Sequence, residues 1–246
     1  MGQGKESIAG AAVAAMMLAA PLPASAQSEG RLFSVPAGCE AFLTVQSRSC
    51  SVSHYWTCSG DPEGTHWRVS MDQDGPYHLA FTDAEFRWLR SWHLRVDVSS
   101  VLIEPEEDPA SLTELFATGT DAMVFSLTFE GPQGVAQRNY TGFDSLTGEQ
   151  VVVDGQPLEV TSFAYEYNTP QGPMRQSGNQ FVHRDWRLFF GGVETSTAPD
   201  GETVESDLSP MEFAQPGEGG FLSTQPIYDC GDMMSSLEAP VVRVSQ

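Results

Sequence analysis

Five histidines, His54, His66, His78, His93 and His183, are the side chains of this chain best suited to acid–base or metal chemistry near neutral pH. All five fall in short alternating runs of strand character, where period-two geometry can turn several of them to one side of a sheet. Gathered in space, they would serve a histidine-based metal-binding protein or a hydrolase, which is the alternative reading of the chain. Cys50, His54 and Cys58 have a four-residue spacing that would put soft ligands on one helix face. Val52, Tyr55, Trp56 and Thr57 between them favour strand over helix, which spreads the three along the chain. Asp72 and Asp74 lack the later ligands of a calcium loop and read as a turn with Gly75. Ser145 between Gly142 and Gly148 has the wrong spacing for a nucleophile elbow. There is no Gly-rich phosphate cradle and no zinc-protease histidine pair. The expectation is therefore a non-enzymatic protein with no cofactor, no metal and no assigned catalytic residue.

Aromatic residues form a second constellation. Phe163, Tyr165 and Tyr167 alternate along one run, and Phe181, Trp186, Phe189 and Phe190 along another. Such residues either fill a core or line a cavity in a half-open barrel. The functional expectation takes Phe163, Tyr165, Tyr167, Phe181, Trp186 and Phe189 as the ligand-binding set, with Asp185 and Arg187 as a polar patch at its mouth.

Charge narrows the partners. The chain carries 12 basic and 33 acidic residues, a net charge of −21. Lys5 is its one lysine. A field of that sign repels phosphate backbones and anionic bilayers, so nucleic acid is excluded as a partner. The partner expected is a lipid or other apolar ligand, or an envelope protein.

The N-terminus reads as a leader. Lys5 precedes an uncharged apolar run from Ile8 to Leu22, too short to span a bilayer, and Ala24, Ser25 and Ala26 make an A-x-A cleavage site. The expectation is a signal peptide over 1–26, a mature β-rich domain over 27–246, and a periplasmic or secreted location. Val35 to Cys39 resembles a lipobox, but Pro36 stands at an aliphatic position and Cys39 lies well beyond the apolar run. The mature chain has no transmembrane segment.

Export puts Cys39, Cys50, Cys58 and Cys230 where thiols oxidise, and the even count favours two disulfides. A hairpin centred on Arg48 and Ser49 sets Val45 against Val52, Phe42 against Tyr55 and Cys39 against Cys58. Cys39–Cys58 pairing leaves Cys50 for Cys230.

The elements that must position these residues are short alternating runs cut by Gly, Asp, Pro and Asn. Hairpin runs flank Asp72–Gly75. Phe86, Trp88, Arg90, Trp92, Leu94, Val96 and Val98 keep one face of a single long strand, with Arg87, Ser91, His93, Arg95 and Asp97 on the other. Further strands are expected at 123–130, 136–142, 150–153, 158–167 and 179–190, with a weaker pair at 202–208 and 221–228. An acidic loop at 104–108 leads to one helix over 109–117, with Asp108 as a cap, Pro109 at its first position and capping-box spacing from Ser111 to Glu114. The fold class is all-β: an antiparallel meander of about ten strands and one short helix, forming an open barrel or a sandwich.

The run from Cys39 to Cys50, with Val182 to Phe190, resembles exported proteins of unassigned function from alphaproteobacteria, a likeness that implies no activity. In outline the strand-rich plan is similar to periplasmic lipoprotein carriers, at the level of fold alone.

Overall fold

A computed structural model describes residues 32–231 together with Met1. The leader expected over 1–26 lies outside the described residues. Alternating apolar and polar side chains, interrupted by turn-forming residues, produce an antiparallel meander. It runs through β1 (Cys39–Ser47), β2 (Ser51–Cys58), β3 (His66–Asp72), β4 (Gly75–Thr82), β5 (Trp88–His93) and β6 (Val98–Asp108). Helix α1 (Leu112–Thr118) then leads to the long strands β7 (Thr120–Gly131), β8 (Gly134–Val153), β9 (Gln156–Thr169) and β10 (Gly172–His183). Four short strands follow: β11 (Leu188–Phe190), β12 (Val193–Thr197), β13 (Thr203–Asp207) and β14 (Pro210–Ala214).

All fourteen belong to one sheet, in the order β13-β12-β10-β9-β8-β7-β6-β5-β4-β3-β2-β1-β14, with β11 attached to β10. Strands β13 and β14 end the path without pairing to each other, so the barrel stays open. The fold is all-β with one short helix, and the sandwich alternative is not what forms.

The sheet curls because its inner face must cover apolar side chains at one rim. There Leu43 and Tyr55 from β1 and β2 meet Leu158, Leu188, Phe190 and Phe213 from the far strands. Beside them Leu112 and Leu115 of α1 pack against Val182 and Phe189. The Phe213 N–H donates to Asp154 Oδ2 at 2.9 Å, joining β14 to the β8–β9 turn across the curl.

Both disulfides are those expected from the hairpin, Cys39–Cys58 and Cys50–Cys230. They place the protein in an oxidising, extracytoplasmic environment. No described helix is long and apolar enough to cross a membrane. The hairpin register departs from expectation within the strands. Ser47 pairs with Ser51 around a three-residue turn in which Ser49 and Cys50 have positive φ, so Val45 faces Ser53 and Leu43 faces Tyr55. A bulge between Ala41 and Leu43 absorbs the extra residue and brings Cys39 back opposite Cys58.

Other boundaries move for local reasons. The single strand expected over 86–98 is a hairpin, because the chain reverses at Leu94 to Asp97, where Asp97 adopts φ 52°. Leu94 and Val96 are exposed turn residues, and Arg95 is tied to Asp72 of the neighbouring turn. The run expected over 179–190 likewise breaks at Arg184 to Arg187 into β10 and β11. The helix starts later than expected, with Ser111 as N-cap accepting from the Glu114 N–H, while Glu104 to Asp108 continue β6 instead of forming a loop. No strand forms over 221–228 beyond an isolated bridge from Leu32 to Ser223.

The two disulfides close loops of very different length, 19 and 180 residues. The chain-entropy account therefore predicts that the Cys50→Ala/Cys230→Ala pair destabilises more than the Cys39→Ala/Cys58→Ala pair, each within about 2–5 kcal/mol. Urea midpoints of the two double variants test this, and equal or reversed losses would contradict it.

Candidate functional site

The concave face of the sheet encloses a cavity of about 580 Å³. Its size falls in the roughly 300–1,000 Å³ range of small-molecule sites. The floor is the closed rim, where Phe86, Leu112, Leu115, Phe189 and Phe190 meet. Helix α1 is fastened there by Glu85 from the β4–β5 loop. The Glu85 carboxylate accepts from Thr113 N–H (2.8 Å), Thr113 Oγ1 (2.7 Å) and Ser111 Oγ (3.0 Å), and it pairs with Arg187 at 2.8 Å. Burial opposes its ionisation, yet these donors and Arg187 outweigh burial and hold the carboxyl below its ordinary value.

The wall is aromatic. Trp88 presents its edge to Phe125 (5.6 Å), Tyr140 (6.0 Å) and Tyr165 (5.9 Å), and Phe125 stacks on Tyr140 at 4.9 Å. Glycine is required at 142, since a Cβ there would collide with Tyr165, which leans over β8. The opposite rim, built from the turns between β1 and β2, β3 and β4, β5 and β6, and β7 and β8, carries polar groups inside it. Ser53 bonds Ser70 (3.0 Å), Ser91 bonds Ser100 (2.7 Å), and the rings of His78 and His93 stand 5.0 Å apart. Arg68 of β3 projects among them. Arg138 of β8 lies over Phe129 at 4.2 Å and Tyr167 at 5.2 Å.

Burial decides which of these groups carry charge. It lowers His66 to about 4 and His78 to about 3, with the positive charge of Arg68 adding to the effect, and it lowers His93 as well. These histidines are neutral at physiological pH. Burial raises Tyr140 to about 12 and also raises Tyr55, against the pull of Arg138 and Arg68 respectively.

Asp121 and Asp144 face each other across β7 and β8, close to α1. Both are largely removed from water, at 4% and 9% exposure. The Ser111 N–H donates to Asp121 Oδ2 at 2.9 Å, while Asp121 Oδ1 is buried without a hydrogen-bond partner among the described residues. Burial first, and the charge of Asp121 second, raise Asp144 to about 7. Burial also raises Asp121 to about 6, with Glu114, Asp108 and Glu85 contributing through their charges. A carboxyl with that value exchanges protons near neutral pH, so acid–base chemistry in this cavity would start here.

The five histidines do not converge. His66, His78 and His93 line the cavity on three different strands; His66 bonds Thr82 Oγ1 at 2.8 Å, apart from the other two. His54 points to the convex side, bonded to Thr44 (3.0 Å) and stacked on Phe33. His183 stacks on Trp186 at 3.9 Å. Among the described residues, no group of three or more His, Cys, Asp or Glu could hold a metal ion.

Of the aromatic residues expected to bind ligand, Phe163, Tyr165, Tyr167 and Phe189 line the cavity. Phe181 and Trp186 instead pack behind the rim cluster, and Trp186 also borders a second, shallower depression. Arg187 does not mark a mouth: it anchors Glu85 at the floor and donates to Ala84 O at 2.8 Å. Arg68, Asp121 and Asp144 were not among the expected site residues. Their signal was present in the alternation, because Asp121 continues the spacing of Met123, Phe125, Leu127 and Phe129, and Arg68 that of His66 and Ser70. Polar members of an alternating run read as the solvent side, and here they face inward.

Comparison with protein-family models, with curated proteins and with solved structures yields no match, so the site rests on its geometry.

Asp144 has a pH signature. With a folded value near 7, far above its ordinary 3.8, its protonation stabilises the fold below about 4, and this contribution is lost as pH rises through 7. The histidines lowered to about 4 act oppositely, withdrawing stability as pH falls from 6.5 towards 4. Comparing Asp144→Asn with the parent isolates the carboxyl: the variant should melt higher at pH 8, and the gain should be clearly smaller at pH 5 and fade as pH falls below about 4. A gain of equal size at both pH values would contradict burial of this group.

Proposed function

We propose that the protein is an exported periplasmic or secreted binding protein that holds an apolar or amphipathic ligand in its concave cavity without transforming it. The supporting observation is the cavity itself, walled by Trp88, Phe125, Phe163 and Tyr165 and floored by α1. Residues of this size would ordinarily interdigitate to crystal-like density, and a void of about 580 Å³ between them forfeits dispersion contacts that a ligand can restore. A route in from the polar rim suits a molecule with one apolar and one polar end. Extracytoplasmic disulfide chemistry agrees with an envelope ligand. An envelope protein could deliver or receive that ligand at the same rim.

N-phenyl-1-naphthylamine, an uncharged dye that brightens in apolar surroundings, tests this reading. Wild-type protein should enhance its emission in a saturable manner, with a concurrent change in tryptophan fluorescence that Trp88→Phe reduces. Ala80→Phe, which adds a ring to the concave wall opposite Arg68, should weaken dye binding about tenfold or more with the fold intact by circular dichroism. Absence of enhancement by the wild type would overturn the proposal.

A further inference from the structure

Nine arginines lie in the described part of the chain. Six of them form ion pairs with carboxylates: Arg48, Arg87, Arg95, Arg175, Arg184 and Arg187. Arg68, Arg90 and Arg138 form none among the described residues. Arg90 also borders the cavity, but it pairs across the strands with Phe81 on the convex side and is exposed, so water solvates it. The remaining two, Arg68 and Arg138, both stand on the concave face and both line the cavity. In a chain of net charge −21, carboxylates are abundant, and two guanidinium groups without an ion pair to any described carboxylate inside a cavity need an explanation.

Arg68 is the sharper case. Its Nε is buried and has no hydrogen-bond partner among the described residues, although a guanidinium keeps its donors satisfied wherever water is excluded. Around it stand the hydroxyls of Tyr55 and Ser70 and the neutral ring of His78. Glu194 of β12 faces it and feels its charge, but stays beyond ion-pair distance. Burial raises Glu194, which weakens it further as a counter-ion. Arg138 adds a second positive charge beside His93. Directly below lies the apolar wall of Trp88 and Phe125.

We infer that the cavity takes an anionic amphiphile: one alkyl chain ending in a carboxylate or phosphate head. Arg68, assisted by Arg138, holds the head, and the chain runs along Trp88 and Phe125 towards α1. This rests on the binding role proposed above and assigns its ligand class. A guanidinium offers paired, parallel N–H donors to such a head, which a neutral head cannot use to the same effect. The acidic exterior does not forbid approach, because its field is screened within about 8 Å at physiological salt.

Displacement of bound N-phenyl-1-naphthylamine by dodecanoate, dodecyl phosphate, 1-dodecanol and dodecyltrimethylammonium tests the assignment. At least one of the two anions should displace the dye at about tenfold lower concentration than the alcohol, and the cation should be weakest. Whichever anion is stronger identifies the head as carboxylate or phosphate. Arg68→Gln should weaken the anion about tenfold and leave the alcohol within about twofold. Arg138→Gln should act in the same direction, and retained dye binding by either variant shows that it has folded. Equal displacement by anions and alcohol, or equal weakening of both by Arg68→Gln, would overturn the anionic head and leave the apolar cavity standing. Failure of the wild type to bind dye at all would overturn both.

Discussion

The inner face of an unclosed sheet has to be covered, and among the described residues only one rim is covered by protein. Hydrogen bonding alone would let fourteen antiparallel strands lie as an open twisted ribbon. Curling is imposed by the apolar residues at the ends of β1, β9 and β11, which meet each other and α1. That contact brings distant strands face to face at the floor. Above it the same side-chain lengths no longer span the gap, so the concave face holds a space instead of a core.

The space sets the electrostatics. Groups inside it lose water without gaining full partners, and each responds according to its chemistry. Histidines shed their protons, Asp144 holds on to one near neutral pH, and arginine, which cannot deprotonate, keeps its charge. The result is a cavity whose lasting positive charge sits near the polar rim, while its acidic pair sits near the floor and is partly neutralised. An anion entering from the rim meets Arg68 before it meets Asp144. The proposed preference for an anionic head rests on this ordering and not on the overall charge of −21.

Much of the architecture was legible along the chain. The alternation of Met123 to Phe129 and of Phe163 to Tyr167 marked strands whose inner faces do line the cavity. The Cys39–Cys58 partnership followed from hairpin geometry even though the detailed register did not, because a bulge near Phe42 compensated a wider turn. Where reading failed, tight turns were hidden inside apolar runs. Leu94 to Asp97 and Arg184 to Arg187 contain no glycine, and reversal there depends on Asp97 and Arg187 adopting positive φ. Neither residue type announces that conformation as strongly as glycine does.

The all-β class, the disulfide partners and the acidic exterior could be read along the chain, because they depend on local periodicity, on the hairpin and parity of cysteines and on composition. Which face of each strand turns inward follows from long-range packing. That packing draws His66, His78 and His93 into the cavity and puts His54 and His183 elsewhere. It also sets Asp121 opposite Asp144 and leaves Arg68 without a carboxylate partner among the described residues. A strand pattern says which residues share a face, and the direction of that face is fixed by how the whole sheet curls, through contacts between residues far apart in the chain.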